Sequence, residues 1–210
     1  MKNKIALAVI LLAFVLLIGG ATVLYNKLGQ HVEADQMIVH TEPQAPAADE
    51  QPSDTPEEAA DNETETAQDP DVILAPDFTV YDKEGNEVRL SQYFGKPIVL
   101  NFWASWCGPC QHEMPAFNEK YAELGDDVHF VMVNMTDGGR ETVETASAFI
   151  EAKGYDFPIL FDKTYDAANT YGAYSLPTSF FINAQGHVIA QAVGAIDAAT
   201  LQKGIDMIME

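Results

Sequence analysis

Apolar side chains divide the chain into three stretches. From Ile5 to Tyr25 the run IALAVILLAFVLLIGGATVLY carries no charged residue, with Lys2 and Lys4 before it and Asn26-Lys27 after it. At about 1.5 Å per residue, a helix of that length crosses a hydrocarbon core of about 30 Å. Residues 1–27 are therefore expected to form an N-terminal transmembrane signal anchor. A cleaved signal peptide is the alternative, with Gly19-Gly20-Ala21 offering small residues to a peptidase; the apolar run continuing through Val23, Leu24 and Tyr25 favours the anchor. Over residues 28–71 the apolar periodicity vanishes, and from Val72 to Glu210 it returns as strand-like and helix-like stretches in alternation.

In this last stretch FTVYD, turn residues Glu84-Gly85-Asn86 and EVRL read as a hairpin. PIVLNFW, VHFVMVNM, FPILF and SFFIN are continuous apolar runs of the kind a sheet covered on both faces requires, and HVIAQAVG follows the turn Ala184-Gln185-Gly186. Between them the spacing predicts helices over Cys110–Leu124, Glu141–Lys153, Tyr165–Tyr171 and Ala198–Met209. The expected architecture is α/β: a central mixed sheet flanked by helices, with an N-terminal hairpin, in one domain over residues 72–210.

Charge sharpens the division. The chain has 11 Lys or Arg against 32 Asp or Glu, a formal charge of −21. From His31 to Asp71 there are thirteen Asp or Glu and no Lys or Arg, among repeated Pro, Ala, Thr and Gln. Such a segment has too little apolar surface to offset its chain entropy, so residues 28–71 are expected to be an acidic disordered linker, a tether. The absence of a basic patch argues against nucleic acid. Lysines before the apolar run and acidic residues after it put the N-terminus inside and the rest outside, a single-pass cell-membrane protein with an extracytoplasmic domain.

Only two cysteines occur, Cys107 and Cys110, in FWASWCGPCQHEMPAF. The strand expected over Ile98–Trp103 delivers the chain to Cys107, where a helix begins, and Pro109 suits its first turn, where a missing N–H costs nothing. Cys107 then meets the positive end of the helix and its unpaired N–H groups, which favour the thiolate. It is the expected nucleophile. Cys110, one turn inside, is placed to attack a mixed disulfide on Cys107. A structural staple between residues three apart closes too short a loop to stabilise much. A zinc site needs further ligands, and a copper site using His112 or Met114 is the remaining non-redox reading. The pair is thus expected to be a redox-active disulfide with no metal and no cofactor.

NFWASWCGPC, MPAF and, later, SLPTSFFIN resemble the thioredoxin superfamily, and CGPCQHEMP resembles its membrane-tethered TlpA/ResA branch. The resemblance implies a cis proline at Pro177 lying against the disulfide. It also implies a substrate-contacting surface made by Trp106, Leu176 and Pro177, and a helix-kinking role for Pro115. The unit Glu141–Lys153 plus Phe157–Phe161 resembles that branch's central helix-strand insertion. Where thioredoxins carry a buried aspartate this chain has Asn101, which cannot exchange protons, and Glu113 stands where the branch has an active-site glutamate.

The resemblance implies a thiol-disulfide oxidoreductase, and the Gly-Pro pair is that of a reductase. Thioredoxin lies near −270 mV and strong oxidants near about −120 mV, a gap worth roughly 7 kcal/mol. The implied partners are exported protein disulfides, such as apocytochrome c in cytochrome c maturation, and a membrane thiol electron donor of the CcdA/DsbD type. Two alternatives stay open. One is a peroxiredoxin-like peroxidase, although Ala104 replaces the threonine of that chemistry; the other is a non-enzymatic copper-binding module.

Overall fold

The computed structural model describes the strand Met37–Val39 and residues 73–210. In chain order the strands are β1 (Met37–Val39), β2 (Thr79–Tyr81), β3 (Glu87–Arg89), β4 (Ile98–Trp103), β5 (His129–Asn134), β6 (Ile159–Phe161), β7 (Thr178–Ile182) and β8 (Val188–Val193). The helices are α1 (Gly108–Leu124), α2 (Val143–Lys153), α3 (Asp166–Tyr171) and α4 (Ala198–Met209). All strands join one sheet in the order β1-β8-β7-β4-β5-β6-β2-β3. The β4–β5 and β5–β6 pairs are parallel and the others antiparallel, so the sheet is mixed, as expected.

The central strands are largely apolar because both their faces are covered. On one face Val99, Trp103, Phe130, Met132 and Phe181 pack with Met114 and Phe117 of α1, Ile150 of α2 and Leu201, Ile205 and Ile208 of α4. On the other, Ile98, Leu100, Phe102, Val131, Val133, Phe180 and Ile182 pack with Tyr171 of α3 and with Phe78, Val80 and Leu90 from the hairpin region. Three polar residues interrupt the first face: Asn101 and Ser179, partners across β4 and β7, and Asn134 at the end of β5, all fully buried.

Several boundaries differ from the periodicity, each for a local reason. α1 starts at Gly108, with Cys107 as its N-cap. α2 starts at Val143 because Thr142 and Thr145 close a capping box, which leaves Glu141 outside the helix and fully buried. Tyr165 precedes α3 in the left-handed region, φ 60°. β6 begins after Pro158, which has no N–H to give a ladder. Leu90 leaves the hairpin strand to open a 3₁₀ turn, Leu90–Tyr93.

The expected anchor lies outside the described residues, as does the expected linker except for Met37–Val39. Those three residues form strand on the free edge of β8, so at this point the acidic segment is paired rather than disordered. Among the described residues no helix is long and apolar enough to cross a membrane.

Candidate active site

Cys107 and Cys110 are joined in a disulfide, S–S 2.08 Å, at the N-terminus of the 17-residue α1. Cys107 Sγ accepts the Cys110 N–H at 3.2 Å. That amide is one of the donors a helix start leaves unpaired, and a donor at this position favours negative charge on the Cys107 sulfur. Cys110 is fully buried, while Cys107 keeps 5% of its surface exposed. Pro115, inside α1, has no N–H for the Gln111 carbonyl, which loosens the ladder one turn beyond the disulfide.

The loop leading into Cys107 is fastened from behind. Glu141 Oε1 accepts the Ser105 N–H at 2.9 Å and the Asn134 side-chain amide at 2.8 Å, and its Oε2 accepts the Ser105 hydroxyl at 2.7 Å. The Gln111 amide donates to the Ser105 carbonyl, and the Cys107 N–H to Ala104 O at 3.2 Å. Glu141 is presented by a tight turn in which Asp137 Oδ1 accepts the N–H groups of Gly139 and Glu141, at 2.7 and 2.8 Å.

Glu113 lies one turn beyond Cys110 on the buried side of α1 and is 3% exposed. Asn101 Nδ2 donates to its Oε1 at 2.8 Å and Ile196 N–H to its Oε2 at 3.0 Å. Burial pushes its carboxyl up to about 7, against the opposing pull of the Ile196 and Asn101 donors. A solvated helix position is thereby excluded. Trp106, by contrast, is 41% exposed, and its ring carries the Arg140 guanidinium 3.9 Å from its centroid. Asn101, expected to matter only as a missing acid, donates directly to Glu113 and to Ser179 Oγ at 3.0 Å. Its Oδ1 is buried without a partner.

Leu176–Pro177 is a cis peptide bond. The Pro177 carbonyl accepts the Gly194 N–H at 2.8 Å, which ties this turn to the loop carrying Ile196. Trp106, Cys107 and Leu176 line one groove of about 720 Å³, together with Pro109, Met135, Arg140, Tyr165 and Tyr174 among others. Cys110 and Glu113 are not among the lining residues and are buried. His112 is exposed while Met114 is 1% exposed in the core, so the two do not converge on the cysteines as copper ligands. Sequence reasoning missed Ser105, Arg140, Glu141, Tyr165 and Tyr174. Only the Asp137-Gly138-Gly139 turn left a local signal, and it does not say what the turn delivers.

The AhpC/TSA family model matches residues 74–191. A thiol-disulfide oxidoreductase ResA of Bacillus thuringiensis is 39% identical over 123 residues, 57% of this chain and 68% of its own. Another of that name, from Geobacillus thermodenitrificans, is 37% identical over 135 residues, 64% of this chain and 75% of its own. Among solved structures, a protein of Chlorobium tepidum assigned as thiol:disulfide interchange protein DsbE superposes with a TM-score of 0.59 at 32% identity, covering 66% of this chain and 97% of its own. StoA of Bacillus subtilis superposes with 0.54 at 29% identity, covering 62% and 97%. With its disulfide at the start of α1, the chain belongs to the thioredoxin-fold AhpC/TSA family and, within it, to the ResA-like thiol-disulfide oxidoreductases.

Proposed function

We propose that this oxidoreductase is a membrane-tethered reductase of disulfides in exported proteins, with Cys107 as nucleophile, Cys110 as resolving thiol and Glu113 as proton acceptor. One observation carries the reading: the disulfide meets a groove of about 720 Å³ through Cys107 alone, while Cys110 is buried and does not line it. The Cys107 thiolate attacks a substrate disulfide, forming a mixed disulfide and releasing one substrate thiolate, which takes a proton. Cys110 then gives its proton to Glu113 and attacks Cys107 Sγ. The mixed S–S bond breaks and the second substrate thiolate leaves. Two electrons pass to the substrate, and the protein is left as the Cys107–Cys110 disulfide. A dithiol donor must reduce it again; a membrane carrier of the CcdA/DsbD type fits a domain held at the membrane by residues 1–27.

Apocytochrome c, with two nearby cysteines to be kept reduced, is the substrate this reading favours. The experiment is trapping in cells with Cys110→Ala, which stops exchange at the mixed disulfide, followed by identification of what is held on Cys107. Capture of exported cysteine-pair proteins supports the reading; a trap that holds only peroxide-derived sulfenic acid on Cys107 favours the peroxidase instead.

A further inference from the structure

We propose that Arg140 is a specificity-determining residue, which selects substrates carrying an Asp or Glu within two residues of the disulfide cysteine. The inference rests on the reading of this groove as the binding site for a protein disulfide. Among the described residues, Arg140 and Asp137 are the only charged ones lining it. Asp137 Oδ1 accepts the Glu141 and Gly139 amides, and these bonds, with the nearby Arg140 charge, hold its carboxyl below the usual range without an ion pair forming between the two side chains. No ion pair among the described residues includes Arg140.

Its guanidinium lies over Trp106, the residue before Cys107. A guanidinium on an aromatic face keeps its in-plane N–H donors free, and their planar fork matches a carboxylate. The position is built rather than incidental. Gly138, at φ 72°, donates to the Glu141 carbonyl at 2.9 Å, so the turn holding Arg140 is bonded at both ends, and Glu141 anchors it to the Ser105 loop. At about 3.3 Å per residue of extended peptide, a side chain one or two residues from the cysteine held at Cys107 falls over Trp106.

The surrounding charge makes this cation selective. Residues 72–210 carry eight Lys or Arg against nineteen Asp or Glu, so the domain as a whole repels acidic peptides. A Debye length of about 8 Å at physiological ionic strength screens most of that repulsion, leaving the cation in contact range to decide. An exposed ion pair is worth about 0.2–1 kcal/mol, which at the upper end is about fivefold in rate.

The test is single-turnover reduction of two disulfide-bonded peptides by the pre-reduced full-length protein. The peptides share a Cys-x-x-Cys loop and differ only in Glu or Gln next to the first cysteine. The expected ratio of second-order rate constants, Glu over Gln, is about three- to fivefold in the wild type and about one in Arg140→Gln, whatever the absolute rates of the variant. A wild-type ratio near one, or a ratio that persists in Arg140→Gln, overturns the proposal. So does an equal loss on both peptides with the ratio unchanged, which would make Arg140 a modulator of the Cys107 thiolate. Reduction of the neutral hydroxyethyl disulfide separates the two levels: failure there refutes the reductase reading itself, whereas activity there without discrimination refutes only the role of Arg140.

Discussion

Replacing Glu113 by Gln should slow resolution of the mixed disulfide and make the fold more stable at high pH. The carboxyl has an ordinary value of 4.5 and is raised by burial to about 7. At about 1.4 kcal/mol for each tenfold change in the proton equilibrium, that difference is about 3 kcal/mol. The sign follows from the folded value lying above the unfolded one. The native state holds the proton more tightly, so this contribution is fully present below about pH 4.5 and is lost as pH rises through about 7. The neutral amide of the Glu113→Gln variant has no such loss. Turning over the Asn101 amide would offer its unpartnered Oδ1 to the new side-chain NH₂, so the network can close again. Urea unfolding of the oxidised proteins at pH 5 and pH 8 should therefore show the variant gaining about 2.5 kcal/mol on the wild type between the two, since part of the contribution is already lost at pH 5. General acid-base assistance is worth about 10²–10⁴ in rate, so stopped-flow reduction of a model disulfide near pH 7 should slow by at least about tenfold and lose its inflection near neutrality. Stability curves that stay parallel across pH, together with a rate within about twofold of wild type, would refute both the raised carboxyl and its place in the proton path.

In the reduced protein Cys107 should be alkylated well before Cys110 across pH, because only its sulfur reaches the groove; peptide mass mapping reads this, and faster labelling of Cys110 reverses their roles. Glu141→Ala leaves the Ser105 N–H, the Ser105 hydroxyl and the Asn134 amide without their acceptor. It should cost about 3 kcal/mol in urea unfolding, at about 1–3 kcal/mol for each buried group left unpaired, and slow exchange by loosening the loop before Cys107. A fragment of residues 72–210 should reduce a model disulfide at close to the full-length rate and, on the proposed tethering to a membrane donor, lose activity in cells through a lower effective concentration. If that fragment does not fold, the β1 pairing on β8 is structural rather than accessory.

What the sequence determines by itself is whatever is written locally. Runs such as PIVLNFW and SFFIN could only be strands covered on both faces, and CGPC placed after such a run puts one cysteine at a helix start, since proline tolerates that turn and few others. The thioredoxin-like mixed sheet was legible on those grounds and on the paired motifs. Helix starts were less so: Glu141 reads as the first residue of a helix, yet the Thr142–Thr145 box begins it later and frees Glu141 to turn inward. Only the tertiary structure decides what Glu141 meets, because Ser105 is thirty-six residues away and nothing in either neighbourhood encodes the partner. The same holds for Asn101 with Glu113, for Ile196 with Glu113, and for Arg140 over Trp106. Burial is a property of the packed molecule rather than of a residue's neighbours in the chain. The raised carboxyl and the walls of the groove, which depend on which surfaces lose water together, come into being only when distant strands and helices close on one another.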